Sequence, residues 1–168
     1  MKKLILAFLI VFSVGSISAQ NKIAHINSQV LLDTMPSRKI AIVKLQEFEV
    51  AGINELKEME IDFNQAYAKY ERERPTMSPV IIKIEEEKLL KKQQALQERE
   101  QSLQQEIQVY SQELNTPILD MVQKAVKMVS ERMKIAYVVD ESMLMYFGGG
   151  TDITDAVIVE LLKMDKVQ

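Results

Sequence analysis

Residues 37–74 read SRKIAIVKLQEFEVAGINELKEMEIDFNQAYAKYERER, and their apolar side chains fall on one stripe. Leu45, Phe48, Gly52, Leu56, Met59, Phe63, Ala66 and Tyr70 follow one another in steps of three and four. That spacing is the period of a helix packed on one partner helix. Glu, Lys, Gln and Asn fill most of the space between, while Val50, Ile53 and Ile61 stand off the stripe. A helix inside a globular core carries a wider apolar face than this. The stretch therefore predicts a rod of roughly 55–60 Å, at about 1.5 Å per residue.

The partner lies further along the chain. Arg74-Pro75-Thr76-Met77-Ser78-Pro79 breaks the pattern, and Pro79 is well placed in a first helical turn, where its missing N–H has no partner anyway. A second seam follows at Leu89, Leu96, Leu103, Ile107, Tyr110 and Leu114. At Lys92/Gln93 and Arg99/Glu100 this seam is polar, which predicts a hairpin firm at its base and loose from 88 to 100. Pro117 removes one backbone donor and predicts a bend. Beyond it, Ile118, Leu119, Met121, Val122, Ala125, Val126, Met128, Val129 and Met133 form the broad face of a base helix. The reading is an antiparallel, coiled-coil-like helical arm over 37–116, with its tip at 75–79.

The two ends of the chain differ from the arm. Residues 1–19 carry Lys2-Lys3, an apolar run from Leu4 to Phe12 and small residues up to Ala19, the pattern of a cleavable secretory signal peptide. Lys22–Asn27 reads as a short strand, Asn27-Ser28 as a cap for a helical turn over 29–34, and Ser37 as the N-cap of the rod. Ile135–Asp140 and Met143–Phe147 read as two strands pairing as a hairpin through Glu141-Ser142. Gly148-Gly149-Gly150 follows as a turn, with Thr154 capping a final helix. Segments 20–36 and 117–168 thus form a small strand-bearing body. The fold class is α+β, mainly α. So few strands with open edges predict association of several copies through the body.

Composition narrows the function. The chain has no cysteine, so an exported protein of this kind relies on packing or association for stability. Without Lys2 and Lys3 the count is 19 basic against 24 acidic residues, a net of −5. An acidic chain argues against nucleic acid as a partner. His25 is the single histidine, with no cysteine or second histidine to complete a metal site or a catalytic triad, so it reads as a half-buried strand residue. Asp140, Asp152 and Asp155 fit no calcium loop and read as strand-end and helix-cap residues. The glycine triplet lacks a phosphate-loop lysine. No catalytic, metal or cofactor site is expected, and no enzyme. Met77, Val80, Ile81, Ile82 and Ile84 place apolar bulk beside the tip, where it either packs on Tyr67 and Tyr70 or forms a contact surface.

In organisation and short motifs the chain resembles the Skp/OmpH family of periplasmic chaperones. The resemblance covers essentially all residues after the signal segment. It rests on Lys22–Ser28, the Met35-Pro36 break, the charged hairpin, Tyr137-Val138-Val139-Asp140, and Gly149-Gly150-Thr151-Asp152-Ile153-Thr154 before a short helix. It implies a periplasmic homotrimer whose strands join in a small barrel. It also implies arms that hold unfolded outer-membrane proteins without ATP on their way to the outer membrane. On that reading Met59, Phe63, Tyr67, Tyr70, Met77, Val80, Ile81, Ile82 and Ile84 contact clients. Ile23, Ile26, Tyr137, Val138, Val139, Leu144, Tyr146 and Phe147 build the oligomerisation body. The best-known members are strongly basic. Here residues 37–75 carry seven basic and eight acidic side chains, and residues 80–116 five and seven, which argues against lipopolysaccharide or an anionic membrane as partner. The alternative is an envelope scaffold that binds one folded partner at the hairpin tip.

Overall fold

The computed structural model of the chain describes residues 22–166; the signal segment lies outside them. In chain order the elements are β1 (Lys22–Ile26), α1 (Ser28–Thr34), α2 (Pro36–Glu73), a 3-10 turn (Arg74–Thr76), α3 (Pro79–Met133), β2 (Ile135–Asp140), a 3-10 turn (Glu141–Met143), β3 (Thr151–Asp152) and α4 (Thr154–Met164). They divide into a body of residues 22–34 and 122–166 and an arm of residues 35–121.

In the arm, α2 and α3 run antiparallel, as their cross-contacts show. Phe48 meets Tyr110 with ring centroids 5.0 Å apart, Gly52 meets Leu103, Glu55 meets Arg99, Asp62 meets Lys92 and Tyr70 meets Glu86. Partners step back along α3 as they advance along α2. Every residue of the expected α2 seam is buried or half-buried, whereas Val50, Ile53 and Ile61 are exposed. Gly52 faces Leu103 across the seam. A methyl group placed there would run into Leu103 Cδ1, and Leu103 itself is only 4% exposed. Glycine inside a helix costs about 1 kcal/mol relative to alanine; here it makes room for a leucine.

The polar half of the seam is not left empty. Lys92 and Arg99 sit at half-buried seam positions and reach across to Asp62 and Glu55; Arg99 Nη2 lies 2.9 Å from Glu55 Oε2 and its Nη1 3.0 Å from Glu106 Oε1. Over the 88–100 segment, read from the sequence as loose, ion pairs thus stand in for leucines. They remain the weaker fastening. An exposed pair contributes about 0–1 kcal/mol, against about 1.5–3 kcal/mol for a buried leucine.

One expected boundary also changes. The N-cap of α2 is Met35, with extended backbone and no side-chain cap, and Pro36 takes the first helical position, so Ser37 lies inside the helix. Pro fits there because its fixed φ is already helical. Pro117 lies inside the helical run, as read from the sequence: α3 continues through it to Met133. In the turn before it, Asn115 Nδ2 and Thr116 Oγ1 donate to the carbonyls of Ser111 and Gln112, at 2.8 and 2.7 Å.

In the body, β1 is the centre of a three-stranded sheet of order β2-β1-β3, parallel on both sides. The expected hairpin of 135–140 with 143–147 is overturned. Strand 135–140 forms, but it pairs with β1 in the register Ile23↔Tyr137 to Ile26↔Asp140. Residues 143–147 make no strand; Glu141–Met143 is a 3-10 turn and the chain then runs irregularly to β3. One face of the sheet is covered. Ala24 and Ile26 are buried, as are Leu31 of α1, Ala125 and Val129 of α3, and Ile153, Val157 and Leu161 at α4. Helix α1 packs on α4. Its start is fixed by Asn27 Oδ1, which accepts from Val30 N at 3.0 Å, the cap expected there. Thr154 is not the cap of α4 but its first residue; its N and Oγ1 both donate to Asp152 Oδ1, at 2.8 and 2.6 Å.

Three carboxyls in the body are held below their usual range. Asp140 is lowered chiefly by a hydrogen bond from the Ser28 side chain, Asp152 by the Thr154 hydroxyl and Glu160 by Arg132 and then Lys163. Each binds its proton less readily folded than unfolded. This stability is thus present above the unfolded carboxyl range near pH 4 and is lost as pH falls through the lower folded values. The resistance of the protein to chemical denaturation should fall progressively as the pH drops below about 4.5. Asp140→Asn should flatten part of that slope, and a midpoint constant over the window would refute the assignment. In the arm, Leu103→Ala should cost about 2–3 kcal/mol. Gly52→Ala should be destabilising by about 1–2 kcal/mol through overpacking, contrary to helix propensity. Urea titration at fixed protein concentration measures both, and a stabilised Gly52→Ala would contradict the close approach.

Candidate functional site

Two surfaces hold the residues singled out from sequence, one on the arm and one on the body. At the arm's tip, the Tyr70 hydroxyl donates to Glu86 Oε1 at 2.6 Å, and the Arg74 guanidinium stands 5.7 Å from the Tyr70 ring centroid. That hydrogen bond to a carboxylate, followed by burial, raises the Tyr70 hydroxyl above its ordinary value. Tyr70 is 6% exposed, so it clamps the hairpin and offers little surface of its own for the contact expected of it. Ile82 and Met77 are half-buried. Val80, Ile81 and Ile84 are open, with Val80 68% exposed. Their spacing of three and four puts them on one helix face, so the apolar bulk at the tip is mostly turned outward rather than packed on Tyr67 and Tyr70.

Below the tip, an open groove of about 380 Å³ is lined by Phe63, Tyr67, Tyr70, Leu89 and Leu90 together with charged side chains. The rings of Phe63 and Tyr67 stack at 6.3 Å. Tyr67 is exposed, while Met59 and Phe63 are half-buried in the seam. A second groove, of about 520 Å³, lies further down α2 along Val43, Val50 and Ala51. Together with exposed Ile53, Ile61 and Val109, these residues spread apolar surface along much of the arm. Sequence reasoning did not name them as site residues. The signal was present, since they are the apolar residues that the seam does not use.

On the body, the sheet face opposite Ala24 and Ile26 is open. Ile23 and Tyr137 are register partners, so their side chains share that face, and they are 57% and 61% exposed. Phe147 lies over His25 on the same side, ring centroids 5.0 Å apart. Beside it Met143, Met145 and Tyr146 are 80% exposed or more. Of the expected body residues, Ile26 instead belongs to the core, and Val138, Val139 and Leu144 are half-buried.

His25 is half-buried on β1, as expected, but it has company that the sequence did not reveal. Its Nδ1 lies 2.7 Å from Glu141 Oε1, and donor atoms of His25, Glu141 and Asp152 all fall within 4.8 Å of one another. Asn27 Nδ2 donates to the other Glu141 oxygen at 3.2 Å. Among the described residues no helix is long and apolar enough to cross a membrane.

Comparison with known proteins places this architecture. The family model for outer membrane protein (OmpH-like) matches residues 22–161. The chain belongs to the OmpH-like family. OmpH-like proteins are periplasmic chaperones rather than enzymes, and the fold agrees with theirs in its long helices and small parallel sheet. The chain is 27% identical over 166 residues to the chaperone protein Skp of Photorhabdus laumondii subsp. laumondii, covering 96% of this chain and 99% of that one. A crystal structure of an OmpH-like protein from Caulobacter crescentus CB15 matches with a TM-score of 0.76 at 17% identity, over 89% of each chain.

Proposed function

We propose that this OmpH-like chain is an ATP-independent holdase that keeps unfolded outer-membrane proteins from aggregating in the periplasm. The observation that carries the reading is the apolar surface left over on the arm. The seam between α2 and α3 is already filled, yet Val43, Val50, Ile53, Ile61, Tyr67, Val80, Ile81 and Ile84 remain exposed along it. Surface of this kind, interspersed with charge, suits many weak contacts with a chain that has not yet folded. Nucleotide-binding motifs play no part in the cycle. A client leaves when its own folded state competes for the same apolar groups. Contacts from several arms add through effective concentration, which requires more than one copy. The open face with Ile23, Tyr137, Met145 and Tyr146 supports association of bodies, and the family resemblance makes a trimer the expected form.

At stoichiometric ratio the protein should suppress aggregation of a urea-denatured porin on dilution, read by light scattering; no suppression would reject the holdase. The outward cluster at the tip favours a second reading, a scaffold that grips one folded partner there. Ile81→Ser with Ile84→Ser separates the two. A distributed surface loses only part of its suppression, while a tip-specific contact loses its binding altogether. For the body, native mass measurement should give a multiple of the chain mass, and Tyr137→Glu should shift it toward the single chain. A wild-type protein that stays monomeric at micromolar concentration would overturn the assembly.

A further inference from the structure

We propose that His25, Glu141 and Asp152 form a binding site for a first-row divalent transition-metal ion, of which zinc is the representative. The three side chains come from β1, the 3-10 turn after β2, and β3, so the fold of the body assembles them from distant parts of the chain. One imidazole and two carboxylates are a donor set suited to zinc, cobalt or nickel. Their ligating atoms lie within 4.8 Å of one another. A tetrahedral ion with bonds near 2.0–2.1 Å wants ligand separations of about 3.4 Å. Side-chain rotation covers the difference, drawing Asp152 in and moving Glu141 off its 2.7 Å contact with His25 Nδ1.

The site has supports of the kind that orient ligands. Asn27 Nδ2 holds one Glu141 oxygen, and the N and Oγ1 of Thr154 hold Asp152 Oδ1. The Thr154 hydroxyl in turn accepts from Asn27 N at 3.0 Å. Gly150 lets the chain pass close over the imidazole: its φ is +104°, and a methyl group there would stand 3.3 Å from His25 Cδ2. Electrostatics point the same way. Among the described residues, neither Glu141 nor Asp152 has a lysine or arginine within ion-pair distance, and the single histidine faces both. Two carboxylates converge on one imidazole, and a divalent cation bound among them balances their negative charge. Asp152 is exposed and gives the ion its way in. A bound ion would tie residues 141–152, which carry Met145, Tyr146 and Phe147, to the central strand.

The test uses the full mature protein without a histidine tag, with Zn²⁺ followed by calorimetry and Co²⁺ by its visible absorption. Because His25 is the only histidine, its ring resonances report directly on coordination. The expected result is one ion per chain, a shift of the His25 ring signals, and binding weakened about tenfold or more in each of His25→Gln, Glu141→Gln and Asp152→Asn. Glu141→Gln can keep its hydrogen bond to His25, and Asp152→Asn keeps the oxygen that Thr154 uses, so loss of binding in these two with unchanged circular dichroism is not a folding defect. Absence of binding to the wild type, or binding that survives all three substitutions, would overturn the site.

Discussion

The parallel pairing of β1 with β2 is the constraint on which the rest depends. Parallel neighbours cannot be joined by a tight turn; the chain must leave the sheet and return to the same end of it. In most proteins one helix makes that crossover. Here it is made by everything between Ile26 and Ile135: α1, the whole of α2, the tip and the whole of α3. A hairpin of two long helices suits the task, because a chain that goes out and comes back along itself ends near where it began. The arm is thus the connection that makes the sheet.

The arm needs little of the body's chemistry to hold its form. Its seam is filled by leucines, aromatics and one glycine at the base end, and by ion pairs toward Lys92. Because that seam is narrow, much apolar surface is left unburied on a helix that is otherwise charged. A broader core would have consumed those side chains. The economy of the hairpin, one buried stripe per helix, is what leaves the rest of the arm free for other molecules.

Much of this was legible in the sequence, and the failures have physical causes. The seam could be read because helix packing is local and repeats every three to four residues, so Leu45 to Tyr70 announced itself without knowledge of the partner. The sheet could not be read in the same way. Its pairings join β1 to residues more than a hundred positions away, and nothing in Lys22–Ile26 specifies whether its neighbour is parallel. Met143-Leu144-Met145-Tyr146-Phe147 looked like a strand because it is apolar, but apolar bulk reports a wish for burial and says nothing of backbone geometry. Thr154 moved from the cap to the first residue of the last helix for a related reason: a threonine suits either place, and only the fold decides which carbonyl or amide is in reach. The cluster at His25 was hidden because Glu141 and Asp152 are unremarkable until β1 lies between them.

The crossover also fixes an order of assembly. Strand β1 leaves the ribosome before the residues that will flank it on either side, and it has no hydrogen-bonding neighbours until β2 and β3 arrive. The helices of the arm, by contrast, form from contacts close in sequence, which is the fast kind. Closing so long a loop in a disordered chain costs about 4 kcal/mol or more in entropy. Once α2 and α3 are paired, most of that loop no longer counts, and the strands come within reach of one another. The hairpin therefore acts first on its own chain, as the device that carries an unpaired strand's future neighbour to it.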